Sequence, residues 1–179
     1  LTPPLEVDHW LPNRCDCLAK PFFLSPLDIH FTHDCVRKWF GVKGRDDEFD
    51  GHILDTVEEI LKKGQVPGPV KEIEVVYYDG RVYVAGTFNR RLTAWRILRL
   101  LFPDRFKFVK VRFRVGDERD LQRMNWQTKH STDCGGHWVG IRDPKNRDNW
   151  EGYVGKTIHG DPDFDENPNV KESGIWWKD

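Results

Sequence analysis

The sequence predicts a small α+β domain, and three observations carry that expectation. A β-rich run, Arg81-Val82-Tyr83-Val84-Ala85, passes through Gly86 into a helical pattern. In that pattern Leu92, Trp95, Leu98 and Leu101/Phe102 recur until Pro103 stops it. Just upstream, Asp79-Gly80 joins two strand-like runs and marks a two-residue hairpin. Further upstream, Val57, Ile60 and Leu61 form the inner face of a second helix, closed by Lys62, Lys63 and Gly64.

In chain order, residues 1–25 read as an irregular arm broken by Pro3, Pro4, Pro12 and Pro21 and anchored by Trp10 and Phe22/Phe23. Leu27 to Phe31 alternates apolar and polar, as a half-buried strand does. Thr32 then caps a short helix from His33 to Phe40, with Phe31 and Val36 as a hydrophobic staple. Gly41 to Gly51 is a polar loop. Asp55 or Thr56 caps the next helix, with Glu58 and Glu59 able to complete a capping box. Glu72 to Tyr78 is a strand with Ile73, Val75 and Tyr77 on one side. Phe106 to Val115 is another, its parity change implying a bulge or a doubly buried start. Residues 116–179 form a C-terminal extension packed on the core at 26–115. It holds a helix at Asp117 to Gln127, strands at His137 to Arg142 and Trp150 to Ile158, and an acidic loop at Asp161 to Asn169.

A net charge of −1 conceals an asymmetry. Residues 81–114 carry 10 Lys/Arg against 1 Asp/Glu, whereas the flanking segments are both acidic. A neutral chain with one basic segment suits a local anion site better than a surface coated for DNA. No run approaches the roughly 18–20 apolar residues of a membrane span. Four Cys do not form a disulfide framework, and the absence of an Asn-x-Ser/Thr sequon favours an intracellular setting, cytoplasmic or nuclear. The chain begins at Leu1, as a fragment or processed form would.

The basic segment centres on Gly86-Thr87-Phe88-Asn89-Arg90-Arg91-Leu92-Thr93-Ala94. Asn89 is a suitable N-cap, its oxygen accepting from the first free amides. A helix N-terminus carries about half a positive charge, so acids belong in the first turn. Arg90 and Arg91 stand there instead, an arrangement that makes sense when an anion sits between them and the free amides. The plainer reading has both arginines facing solvent or paired with acids.

The run Gly86 to Ala94 resembles the phosphate-binding box of the ParB/sulfiredoxin superfamily, whose forms include Gly-Glu-Arg-Arg-x-x-Ala and Gly-Gly-Cys-His-Arg. The surrounding order of elements, from about 26 to 115, resembles that superfamily too, and implies a small mixed sheet with packed helices. The resemblance implies that Thr87, Asn89, Arg90 and Arg91 bind the phosphates of a nucleotide or another phosphorylated small molecule. ATP/ADP or CTP with Mg²⁺ would be the ligand, and phosphotransferase or nucleotide-hydrolase activity would follow. Two departures stand out: Phe88 replaces a Gly, and Asn89 occupies the position of the sulfiredoxin nucleophile. An amide cannot ionise or attack, so sulfinic reductase activity is not expected.

An acid–base group for such chemistry would come from His30, His33 or Asp34, which this architecture can bring near the Arg-Arg turn. Ordinary capping by Thr32 and Asp34 is the plainer account. His130-x-x-x-Cys134-x-x-His137 has ligand-like spacing that Cys15-x-Cys17 can complete as a zinc site. Gly135-Gly136 reads as a turn first and a phosphate cradle second. Two rival functions remain open. Lys107, Lys110, Arg112 and Arg114 offer a nucleic-acid-binding or nuclease face. A non-catalytic scaffold would instead meet a protein partner through Trp126, Trp138, Trp150, Trp176 and Trp177.

Overall fold

The structure, a computed structural model, describes residues 22–38, 40, 51–114, 121, 122, 126, 132, 135–142, 150–155 and 174–177. In chain order the elements are β1 (Phe22–Leu24), β2 (Cys35–Arg37), α1 (Ile53–Lys63), β3 (Glu72–Tyr78), β4 (Arg81–Val84), α2 (Asn89–Leu101), β5 (Val109–Arg114), β6 (Trp138–Arg142), β7 (Trp150–Gly155) and β8 (Ile175–Trp177). The class is α+β: the named elements among the described residues are two α-helices and two four-stranded sheets, where the sequence suggested one sheet.

The first sheet is mixed, in the order β1-β5-β3-β4. β3 and β4 are the expected hairpin, and Asp79 (φ 47°) and Gly80 (φ 74°) both adopt the left-handed turn geometry that such a short link requires. β5 lies parallel to β3, and α2 makes the crossover that parallel pairing needs. β1 pairs antiparallel with β5, Phe22 opposite Val111, so the irregular arm ends in an edge strand.

The second sheet, β2-β6-β7-β8, joins a strand from near the start of the predicted core to three strands of the predicted extension. One apolar cluster runs through both halves, from Ile29, Ile73, Val84 and Leu92 to Val139, Ile141 and Val154. α2 sits at its centre against α1, β2 and β7. Leu92 to Leu98 are consecutively buried, so this helix is enclosed on all sides rather than amphipathic, and its tail leaves Leu101 and Phe102 exposed. Leu121 and Trp126 cover Val76 and Tyr83 as a smaller cluster.

Several local expectations are corrected. Leu27 to Phe31 is not a strand: Ser25 caps a 3-10 turn at Pro26–Asp28, and only His30 makes a bridge, to Tyr83. The helix expected at His33–Phe40 is replaced by β2, whose parallel pairing with β6 outweighs weak local helix signals. α1 starts three or four residues earlier than expected, since the cap is His52, whose Nδ1 accepts from the Leu54 amide at 3.0 Å. Thr56 is then inside the helix and turns its hydroxyl back to the His52 carbonyl. Residues 106–108 precede β5 as coil, with Phe106 buried and Phe108 exposed, so no bulge is needed. The arm at 1–21, the loop at 41–50, the acidic loop at 161–169 and most of the helix expected at 117–127 lie outside the described residues.

Candidate functional site

β4 delivers the chain into a single 3-10 turn, Gly86–Phe88, and α2 begins at Asn89. Asn89 is therefore not the N-cap. Phe88 holds that position, and no side chain caps the helix. The Asn89 side chain points inward, 3% exposed. Its Oδ1 accepts from the Thr32 amide at 3.0 Å, and its Nδ2 donates to Thr32 Oγ1 at 2.7 Å and to the Gly86 carbonyl at 2.9 Å. Both amide hydrogens are used. Asn89 thus clamps residue 32 to the start of α2, and has no hydrogen left for a phosphate.

The clamp fixes Thr32, the residue before His33 and Asp34 in the chain, at the start of α2. Asp34 continues into β2, its carbonyl accepting from Gly140 at 2.8 Å, and β2 then presents Arg37. Arg90 and Arg91 are half-buried in the first turn of α2, and Thr87 beside them is exposed. Burial pushes the Arg90 guanidinium below its ordinary pKa, and repulsion from Arg37 and Arg91 adds to the effect. Arg91 is pushed down by burial and partly restored by Glu74. Its guanidinium lies 4.3 Å from the Phe88 ring centroid and has no hydrogen bond or ion pair among the described residues. Phe88, which stands where the resembled box has a Gly, props the arginine in place. Arg37 was invisible in the sequence because a helix had been expected there.

The basic strand is different. Lys110 pairs with Glu72 at 2.8 Å, a hydrogen bond that holds the Glu72 carboxyl below its usual range. Arg112 reaches Glu72 and Glu74, and Arg114 meets Glu74 at 2.9 Å. Lys107 lies 3.6 Å from Asp104. Every cation of the proposed nucleic-acid face has a carboxylate beside it, so the positive surplus that motivated that face is largely cancelled.

His30 does not join the Arg-Arg turn. Its main chain is fixed by Val82 and Val84, and its Nδ1 lies 3.0 Å from the Gly135 carbonyl, next to His137, Tyr83 and Arg81. Arg96, two turns into α2, is fully buried and donates to the carbonyls of Pro26, Ile29 and His137 while lying over Phe31. Nothing in the sequence separated Arg96 from the other arginines of the helix. Of the zinc candidates, Cys15, Cys17, His130 and Cys134 lie outside the described residues, and His137 falls in no group of three metal-ligating side chains among those described. Trp126 packs on Tyr78 and Tyr83, and Trp138 on Tyr153, so these two tail tryptophans fill the fold. Trp150, Trp176 and Trp177 lie in β7 and β8. No helix among the described residues is long and apolar enough to cross a membrane. Comparison of the chain with protein-family models, curated proteins and solved structures gives no match.

Proposed function

We propose that this protein is a phosphate-binding domain of ParB/sulfiredoxin type, which holds a nucleotide or another phosphorylated small molecule at the start of α2. The observation that carries the reading is a cluster of three cations. Arg90 and Arg91 are half-buried at an uncapped helix N-terminus, with Arg37 close enough to repel Arg90. Gathering like charges where solvent is restricted raises the free energy of the empty fold. A bound anion offsets that cost through charge-assisted hydrogen bonds to both guanidinium groups and to the helix amides. Arg90 and Arg91 are the ligand contacts, Arg37 contributes field, and Asn89 is a positioning residue. His33 and Asp34 are the nearest acid–base candidates along the chain. Mg²⁺ would bridge adjacent phosphates of a triphosphate, an ion that such ligands usually bring with them.

Titration calorimetry with ATP, ADP, CTP and GTP, each with and without Mg²⁺, tests the reading. At least one should bind, and Arg91→Ala should abolish the heat without lowering thermal stability appreciably. Flat traces for all four nucleotides and for inorganic phosphate would reject it in favour of the scaffold function.

A further inference from the structure

A second polar cluster lies beside α2, at the meeting of the two sheets. His30 is held at both main-chain groups, its amide donating to Val82 and its carbonyl accepting from Val84, at 2.7 and 2.9 Å. Because the Gly135 carbonyl can only accept, His30 Nδ1 carries the hydrogen, and Nε2 presents a lone pair. Nε2 has no hydrogen-bond partner among the described residues. The Gly135-Gly136 turn that fixes this tautomer is itself immobilised. The Phe31 amide donates to Gly136 O at 2.9 Å, and the Gly136 amide donates to Thr132 Oγ1 at 2.8 Å. A Cβ on Gly136 would lie 2.3 Å from Phe31 O, so the two backbones approach as closely as glycine alone allows.

The Arg81 and His137 side chains both reach the main chain of Gly135. A Cβ built there would stand 2.9 Å from Arg81 Nη1 and 3.6 Å from His137 Nε2. Arg81 is exposed at the start of β4 and makes no ion pair among the described residues. The His30 and His137 rings are 4.9 Å apart. The charges acting on His30 come from His137, Arg96 and Arg81, with Tyr83 the remaining titratable neighbour; Arg90 and Arg91 are not among them. Burial and those cations lower the His30 pKa to about 4, which keeps the imidazole neutral at physiological pH. The same cations disfavour a metal ion and favour an anion.

We propose a second anion site, separate from the Arg-Arg turn, in which Arg81 holds a phosphate group and His30 Nε2 accepts a hydrogen bond from its P–OH.

Diethyl pyrocarbonate, which transfers an ethoxycarbonyl group to an unprotonated imidazole nitrogen, reads this site without a known substrate. Peptide mass spectrometry of the full chain would give the labelling rate at each histidine. Between pH 7 and pH 5 an ordinary imidazole should lose about 20-fold in rate because it protonates, while His30 should lose less than about twofold. Inorganic phosphate at about four times its dissociation constant should slow His30 labelling about fivefold at constant ionic strength. That protection should vanish in Arg81→Gln and persist in Arg91→Ala. Labelling of His30 that is absent at both pH values, or indifferent to phosphate, overturns the proposal. So does protection by acetate in place of phosphate, or protection lost in Arg91→Ala but kept in Arg81→Gln.

Discussion

α2 treats its arginines in two ways. Arg96, in the middle of the helix, is fully buried and meets three backbone carbonyls and an aromatic face. Those carbonyls belong to the link between β1 and β2 and to the residue before β6, so one guanidinium ties the connection between the two sheets and the edge of β6 to one helix. Arg90 and Arg91, a turn and a half earlier, are half-buried; Arg90 is repelled by Arg37 and Arg91, and Arg91 lies over Phe88 within the field of Glu74. A buried charge with a built set of acceptors belongs to the fold. A half-buried cation beside like charges leaves room for an anion to add to its partners. The contrast separates architecture from function on a single helix, and substitutions that remove each arginine should expose it.

The largest effect is expected at Arg96. Arg96→Met keeps much of the volume but leaves three buried carbonyls without their donor, and should cost about 3–5 kcal/mol by analogy with breaking a buried charged network. Urea denaturation measures it. A loss near zero would mean that water or neighbouring groups satisfy those carbonyls equally well, and the division between structural and functional arginines would lose its firmer half.

Next comes Asn89, the joint between the two regions. Asn89→Ala removes three hydrogen bonds and strands the buried Thr32 amide, a loss of about 2 kcal/mol. Nucleotide affinity should fall less than in Arg91→Ala once the folded fraction is taken into account. Equal losses of binding at unchanged stability would make Asn89 a ligand contact, against the geometry of its amide.

This joint also shows what could be read without coordinates. The hairpin at Asp79-Gly80, the end of α1 at Gly64 and the passage from β4 to α2 rest on neighbouring residues, and each is present. β2 was misread because its strand character depends on β6, a partner remote in sequence. The enclosed nature of α2 was hidden for the same reason. Thr93 and Arg96 look like a polar face until the second sheet covers them. At the candidate site the Arg-Arg turn was legible, since cations at a helix start violate a local rule. Arg37, Arg81 and the inward turn of Asn89 were not, because each depends on a contact between distant segments.

A smaller effect should appear on acidification. His30 has an ordinary pKa when unfolded and a value of about 4 in the fold. Below pH 6.5 the unfolded chain binds a proton that the folded chain does not, so stability should fall as pH drops toward 4. After allowance for the exposed part of the ring, the contribution is about 1 kcal/mol. Wild type and His30→Gln compared by urea denaturation at pH 7 and pH 4.5 isolate it: the variant should lose less on acidification. Parallel losses would place the acid sensitivity elsewhere, among carboxylates such as Glu72, whose depressed pKa also removes stability as pH falls.

The smallest change in stability belongs to the residues with the greatest expected effect on binding. Arg91→Ala gives up the contact with Phe88, worth about 0.5–1 kcal/mol, but also removes a half-buried charge next to Arg90. The two terms oppose each other, and the net should lie within about 0.5 kcal/mol of zero. Arg90→Ala relieves repulsion from both Arg37 and Arg91 but gives up the interaction its own guanidinium makes, and the net should again lie within about 0.5 kcal/mol of zero. Anion binding ought to break that parity, raising the melting temperature of the wild type and leaving either variant unmoved. A variant that unfolds before any ligand is added would show that its arginine belongs with Arg96, as part of the frame.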